Sequence, residues 1–564
     1  MELSTKFLAS QLKEAAKLLD VLGEDPFRAK AYQNAARQLE SFEGDINDLF
    51  ARGRLNEIRG VGQGLAQELY ALGTHEQLPI LDELYDQVPE GVRSLFAVSG
   101  LGAKKIGLLW RSGIDSLDAL AEAAENGQIA ALKGFGKKSA QNILESAQFA
   151  LEARKRMRYD VAEALETRLN LLFTELLPEA DIQVAGEFRR ALETVQGLEF
   201  VATQTTVEEL ANVLREVTGE VTVEDNQVAA SLGEHEVSVF VADAAAFGSA
   251  LAVRTGNEDF VKGLQEKARG QGLELREEGL FKHDEQLETP EETDLFKQLS
   301  IPFIVPERRE RANPDLVPNL ITLDDVRGLI HNHSTWSDAV FSIREMVAGA
   351  RARGYAYLGM GDHSKTSYYA NGLSIERVMA QAQEIDEIRA ELKAEGSDFE
   401  LLHGLEVDIL PDGTLDYPDE VMATLDYAVV SVHQNFTLSE KAQTERIVRA
   451  VHNPYAKILG HLTGRLVLRR PGYAVDQDAV IEACAETDTV IEINANPHRL
   501  DMDWRWVIKA KERGCTFSIN PDAHHTDGFD DVYYGVLMAR KAGLAKDDVV
   551  NTAATGGGFL ERLK

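Results

Sequence analysis

The sequence predicts a multidomain α/β protein on three observations. Its 564 residues exceed what one hydrophobic core organises, so three or four units are expected. A Gly-apolar-Gly tripeptide followed by a helical period recurs three times in the first 155 residues, at intervals of roughly 35 to 40 positions, which marks a repeated helical unit. From residue 327 onward short apolar runs alternate with helical periods, and strand-then-helix order implies parallel strands in a barrel or wound sheet.

In chain order, residues 1–155 read as short amphipathic helices around three hairpins: IRGVGQGLAQEL with Gly60 and Gly62, VSGLGAKKIGLLW with Gly100 and Gly102, and LKGFGKKSAQNIL with Gly134 and Gly136. Paired glycines let the backbone turn sharply and approach a partner, and the following helix offers free amides that bind phosphate without net positive charge. Lys104, Lys105, Lys137 and Lys138 follow the second and third hairpins, within reach of neighbouring phosphates. One such hairpin is as readily an ordinary helix turn; three favour DNA binding. Residues 156–245 switch to helix, strand, helix and then strands, ending in the hairpin-like GEVTVEDNQVAASLGEHEVSVFV, an α+β layout. Residues 246–300 form a smaller helical and strand-turn unit, and 301–326 (IPFIVPERRERANPDLVPN and its flank) read as a Pro- and charge-rich linker.

Composition narrows the function. With 44% apolar and 27% charged residues the chain is globular. Two cysteines, Cys484 and Cys515, give no disulfide framework and fit a reducing compartment. The opening MELSTKFLAS has no basic region before a long apolar core, and no stretch approaches roughly 18 uncharged apolar residues. A cytoplasmic protein with no membrane partner is expected. A net charge of -34 opposes broad affinity for nucleic acid over a Debye length of ~8 Å, so any DNA contact must be local.

Ten of the thirteen histidines fall in residues 331–564, a concentration that asks for a chemical reason. They lie near predicted strand ends with acidic neighbours: His331, His333 and Asp338 in LIHNHSTWSDA, His363 in GMGDHS, Glu406 in GLEVDI, His433 in SVHQNF, His461 in LGHLTGR, Asp522 and His524 in NPDAHH. In a parallel barrel such positions converge on one mouth. Imidazoles and carboxylates without thiolates suit Zn, Mn or Fe, and nine ligands are too many for one ion. His403, His452, His498 and His525 are unassigned, His525 being the best placed to support a ligand.

HNHSTWSD, GDHS, GLEVDI, SVH, GHLTGR and NPDAHH resemble the successive motifs of a PHP (polymerase and histidinol phosphatase) domain, over 327–564. Before it, EDPFRAKAYQNAARQL, the hairpins and GEFRRALETVQGLEF resemble a family X DNA polymerase of the bacterial PolX type. The resemblance implies a lyase-like domain with the first helix-hairpin-helix (1–85), a fingers-like helix-hairpin-helix domain (86–155), a nucleotidyltransferase-like palm (156–245), a thumb (246–300) and a PHP (β/α) barrel. It implies three divalent ions, Mn or Zn: one on His331, His333, Glu406 and Asp522, a second sharing Glu406 with His433 and His461, a third on Asp338, His363 and His524. The implied activity is a Mn-dependent 3′-5′ exonuclease with Glu406, Asp522 and His333 at its centre and DNA, gapped, nicked or primer-template, as partner. Arg465 and Lys365 are candidates for phosphate contacts.

The palm departs from that pattern. The positions expected to hold aspartates for Mg or Mn carry Gly197, Glu199 and Ser238. Gly186 is followed by Glu187 where the family binds triphosphate, leaving Arg189, Arg190, Thr255 and Gly256 as the residues for a deoxynucleoside triphosphate, with Glu199 the remaining acid. Glu68 stands at the expected lyase lysine. The expected function is therefore DNA-repair exonuclease with a weak or absent polymerase. The alternatives are a polymerase using Glu199 and Glu236, a non-catalytic scaffold that binds gaps or nicks, and a phosphatase of small metabolites.

Overall fold

The computed structural model describes residues 5–23, 25–40, 42, 44, 46–72 and 77–564; the first four residues of the opening read as non-secretory lie outside them, as do 24, 41, 43, 45 and 73–76 of the first helical segment. The chain forms two compact units, 1–154 and 155–564.

The first unit is helical. Its three Gly-apolar-Gly turns are built alike. The first glycine of each has left-handed backbone (Gly60 φ 83°, Gly100 φ 81°, Gly134 φ 98°), which a side chain would oppose. The middle residue, Val61, Leu101 or Phe135, is buried, and its N–H donates to the carbonyl three residues back in every copy. The second glycine precedes the next helix: Gln63–Ala71, Ala103–Arg111 or Lys137–Arg154. Nothing lies within 4 Å of where a Cβ would stand on Gly62, Gly102 or Gly136, so these turns face open space.

The second unit begins with a five-stranded sheet in the order Asp181–Val184, Gly197–Thr203, His235–Val241, Gln227–Leu232, Val221–Glu224. Only the Gly197–Thr203 and His235–Val241 pair is parallel. Period-two alternation sends Leu198, Phe200 and Ala202 to a core with Phe173 and Leu214, and Val201 to the opposite face beside Phe240 and Phe247. Helix Val207–Thr218 covers the first face and opens with a Thr206/Glu209 capping box. Next come helices Phe247–Thr255 and Glu258–Gly270, a three-stranded antiparallel sheet and helix Glu292–Gln298, around Phe260, Leu264, Leu280 and Phe296.

Segment 301–326, expected as a linker, holds only short 3-10 turns, yet it is anchored. Arg309 is fully buried, donating from Nη1 to Glu292 Oε1 at 2.5 Å beside the rings of Phe260, Phe296 and Phe303. Ile321 is also fully buried. The charge run that suggests a solvated tether instead supplies buried ion pairs.

The rest is a parallel barrel. A three-stranded and a six-stranded sheet give nine segments, but Tyr357–Met360 runs on into Asp362–His363 and Glu400–Leu402 into Gly404–Asp408, so nine minus two leaves seven strands. All their pairings are parallel, and an Asn332–Ala523 bridge joins the last strand, Phe517–Asn520, to the first, Gly328–Asn332. Tyr427–Ser431, Ile458–Leu459 and Val490–Asn494 complete the ring. Every residue of the five-residue strands is buried, as expected where helices cover a parallel sheet.

Candidate metal centre and palm cleft

Parallel strands deliver the nine expected ligands to one end of the barrel. His331 lies near the end of the first strand and His333 just past it; the register shifts between Leu329 and Asn332. His363 ends its strand, while His433, His461, Asp522 and His524 follow theirs by a few residues. His331 and Asp522 have left-handed backbone (φ 62° and 52°), an arrangement costing a non-glycine residue about 1–2 kcal/mol and typical of functional sites.

Glu406 is the hub. Its Oε1 lies 2.9 Å from His461 Nε2, 3.1 Å from His433 Nε2 and 3.4 Å from His331 Nε2, and its Oε2 2.9 Å from His363 Nδ1 and 3.9 Å from His333 Nε2. Asp522 Oδ1 stands 3.1 Å from His333 Nε2 and 3.8 Å from His331 Nε2; Asp338 Oδ1 stands 3.4 Å from His524 Nε2 and 3.7 Å from His363 Nε2. Ligand atoms gather within 4.8 Å of one another in three sets: His333, Asp338, His363 and His524; His331, His333 and Asp522; His363, Glu406 and His433. His333 and His363 thus each belong to two sets, whereas the partition implied by resemblance gave each to one.

The donor set fits cations. His331 Nε2, His363 Nδ1, Glu406 Oε1, His433 Nε2 and His461 Nε2 are buried without a hydrogen-bond partner. Each such atom costs about 1–3 kcal/mol unless something coordinates it. Burial would disfavour charge on Glu406, but His433, His331 and His363 outweigh it and hold its carboxyl well below the usual range. Burial, then His524 and His363, pushes the His333 imidazole down to about 4, while the carboxylates of Glu406 and Asp408 overcome burial and lift His433 to about 10.

Sequence reasoning missed the residues that orient these ligands. His331 Nδ1 pairs with Glu492 Oε1 and His433 Nδ1 with Asp408 Oδ1, both at 2.6 Å, so each ring turns its Nε2 inward. Glu492 also accepts from the His461 N–H at 2.7 Å and Asn520 Nδ2 at 2.8 Å. Asp362 accepts from the N–H and hydroxyl groups of Ser334 and Ser337, pinning the loop that carries Asp338. The available signal was an acid inside an otherwise apolar strand, as in GLEVDI and VIEINAN.

Other expectations resolve differently. Arg465 has its guanidinium committed to Asp503 and to the carbonyls of Arg499 and Leu500, so it props the loop. Lys365 is half-exposed, 3.9 Å from Asp416. Arg499 is a cation beside the cluster, with Nε 3.3 Å from Asp522 Oδ2. His525 caps a turn by accepting from the Gly528 N–H.

Gly197, Glu199, Glu236 and Ser238 line one cleft of about 590 Å³ together with Glu187, Arg190 and Gly256. Gly197 pairs with Glu236 and Glu199 with Ser238. A Cβ on Gly186 would lie 2.4 Å from Glu199 Oε1, so the acid fills the space over that glycine. Burial raises the Glu199 pKa, with Arg254 and Arg190 opposing and Glu187 and Glu236 adding to it. Arg189 forms a two-pronged pair with Glu292 at 2.8 and 2.7 Å and donates to Thr255 Oγ1; Arg190 pairs with Glu310 at 3.0 Å and donates to the Thr255 carbonyl. Glu187 is tied to Arg156 and the Gln196 N–H. In the helical unit, Glu68 accepts from the Tyr32 hydroxyl. Lys104, Lys137 and Lys138 are exposed, while Lys105 turns back to the Gly100 carbonyl at 3.1 Å. Among the described residues, no helix is long and apolar enough to cross a membrane.

Family models match along the chain: a helix-hairpin-helix domain over 5–76, a SAM-like helix-hairpin-helix tandem over 92–148, a DNA polymerase beta thumb over 250–310 and a PHP domain over 330–496. The DNA polymerase/3′-5′ exonuclease PolX of Bacillus subtilis (strain 168) is 34% identical over 558 residues, 96% of each chain. A probable phosphatase of Thermoanaerobacter sp. (strain X514) is 31% identical over 182 residues, 30% of this chain and 70% of its own. One of Clostridium acetobutylicum is 37% identical over 102 residues, 17% and 38% of the two chains. Near-complete coverage, with helical, thumb and barrel matches along this chain, leads to one assignment: the chain belongs to the PolX family of DNA polymerase/3′-5′ exonucleases with a C-terminal PHP domain.

Proposed function

We propose that this protein is a metal-dependent 3′-5′ exonuclease of cytoplasmic DNA repair whose working centre is the PHP barrel. The observation that carries this reading is the buried Glu406 carboxylate facing five imidazoles, several of their inward atoms without a hydrogen-bond partner. His331, His333, Glu406 and Asp522 would hold one ion, Glu406, His433 and His461 a second, and Asp338, His363 and His524 a third, with Mn or Zn suited to these ligands. When bound, such clustered cations supply Lewis-acid chemistry for phosphodiester hydrolysis. The chain's own contribution is orientation: Glu492 and Asp408 fix the imidazoles, and Arg499 offers positive charge where a phosphate would approach. In this reading the hairpins of residues 1–85 and 86–155 grip the sugar-phosphate backbone of gapped, nicked or primer-template DNA through backbone amides and Lys104, Lys137 and Lys138.

The polymerase centre is weak or inactive. Glu199 fills the space over Gly186, and Arg189 and Arg190 are committed to carboxylates, so a triphosphate would have to break those pairs and approach Glu187. A second reading rests on one observation: Glu199 and Glu236 line the same cleft and would serve as a poorer pair of ligands for Mg or Mn. A 5′-labelled primer on a gapped template, with Mn or Mg and with or without nucleotides, separates the two. Shortening without nucleotides, lost in His333→Ala, supports the exonuclease. Template-directed lengthening that fails in Glu199→Ala would establish the palm as the working centre.

A further inference from the structure

Loop 364–373 springs directly from the ligand His363. Its base is closed by the Leu373 N–H donating to the His363 carbonyl at 2.8 Å and by a bridge between Ser364 and Leu373. Its interior is tied as well: Ser367 Oγ donates to Asp408 Oδ2 at 2.8 Å, Thr366 Oγ1 to the same oxygen at 2.7 Å, and Gln434 Nε2 to the Thr366 carbonyl at 2.6 Å. A Cβ on Gly372 would meet the Ser364 carbonyl oxygen at 1.9 Å, so the closure is tight. On this rigid support Tyr368 and Tyr369 are 81% and 61% exposed, an unusual use of two large aromatic residues at the tip of a well-bonded loop.

Their surroundings indicate what they face. Asp408, which anchors the loop, is the acid that orients His433. Thr366 and Ser367, which precede the two tyrosines, both donate to that same carboxylate. The loop that leaves the centre at His363 thus carries two exposed aromatic rings, and Arg499 lies beside Asp522. The rings meet nearly edge to face, with centroids 6.0 Å apart and planes at 78°.

We propose that Tyr368 and Tyr369 form a stacking platform for unpaired nucleobases at the 3′ end of a DNA strand whose terminal phosphodiester enters the metal centre. This rests on the exonuclease reading above. The physical reason is the charge: at -34 the protein repels a polyanion at long range, so capture of the strand depends on local contacts, of which uncharged ones escape that field. Base stacking on aromatic side chains is such a contact and is indifferent to sequence. A preformed loop loses little freedom when a base docks.

The test uses the full-length protein with its purified metal content. The probe is a single strand with 2-aminopurine near its 3′ end and phosphorothioate linkages that resist hydrolysis. Wild-type protein should quench the fluorescence saturably. Tyr368→Ala with Tyr369→Ala should abolish the quench and weaken binding about tenfold or more, and phenylalanine at both positions should restore both readouts. No quench with wild-type protein, or unaltered quench and affinity in the double alanine variant, would overturn the proposal. If quench and its loss appear while an unmodified strand is never shortened, the platform stands and the exonuclease assignment falls.

Discussion

Glu406 was expected from GLEVDI as a ligand beside the strand-end histidines, but Glu492, 2.6 Å from His331 Nδ1, was not recognised as its counterpart. Replacing Glu492 with glutamine keeps the shape and removes the charge that orients His331 and the His461 backbone. Metal affinity should fall about 10- to 100-fold, read as metal content after dialysis, with nuclease activity partly recovered at high Mn. Unchanged metal content would show that Glu492 is a bystander. A second residue prediction concerns Asp531, whose pKa is pushed up to about 7 by burial, then by Asp160, Asp530 and Asp522. Because the folded value exceeds the unfolded one, its stabilising contribution is full below the unfolded pKa and is lost as pH rises through about 7. Asp531→Asn should therefore raise the melting temperature by about 2–4 °C at pH 8, the gap closing as pH is lowered. An equal gap at all pH values would refute the titration of Asp531.

Among the elements, the hairpins were the most legible, because a glycine repeat is written in the chain itself. What the sequence left open was the division of labour between the two glycines. Gly134 is needed for its backbone (φ 98°), whereas Gly136 has open space where a Cβ would stand. Gly134→Val should destabilise the helical unit by about 1–2 kcal/mol and weaken binding to gapped DNA. Gly136→Ala should leave melting unchanged, and weaker DNA binding in it, measured by gel shift, would show that phosphate approaches the turn closely. Loop 364–373 was invisible in advance: DHSKTSYYANGLS reads as polar loop, and its rigidity depends on Asp408 at the end of one strand and Gln434 in the loop after another.

At the scale of the whole 155–564 unit, the palm arginines act as a joint. Arg190 meets Glu310, Glu310 Oε1 meets Lys541 Nζ at 2.5 Å, and Lys541 also donates to the Arg190 carbonyl at 2.9 Å, so palm, linker and barrel share one buried network. Lys541→Met leaves Glu310 with one cation in place of two and should destabilise this unit by about 3–5 kcal/mol, seen as a lower calorimetric midpoint with loss of Trp504 packing. Such a network explains why the charge-rich 301–326 segment is held in place. No composition rule distinguishes buried ion pairs from a solvated run, because their partners lie up to 233 positions away.

By itself the sequence determined the α/β class, the repeated hairpins and the gathering of histidines and acids near strand ends, and it placed Gly197, Glu199 and Ser238 where palm aspartates are expected. All of these depend on residue identity and local spacing, which chain order preserves. Tertiary structure alone decided that five imidazoles surround Glu406, that Glu199 lies over Gly186, that Arg189 and Arg190 are committed to acids, and that two exposed tyrosines stand on a loop tied to Asp408. The reason is closure of the barrel and sheet: it brings strand ends far apart in sequence within a few ångströms of each other, where hydrogen bonds form and charges interact most strongly.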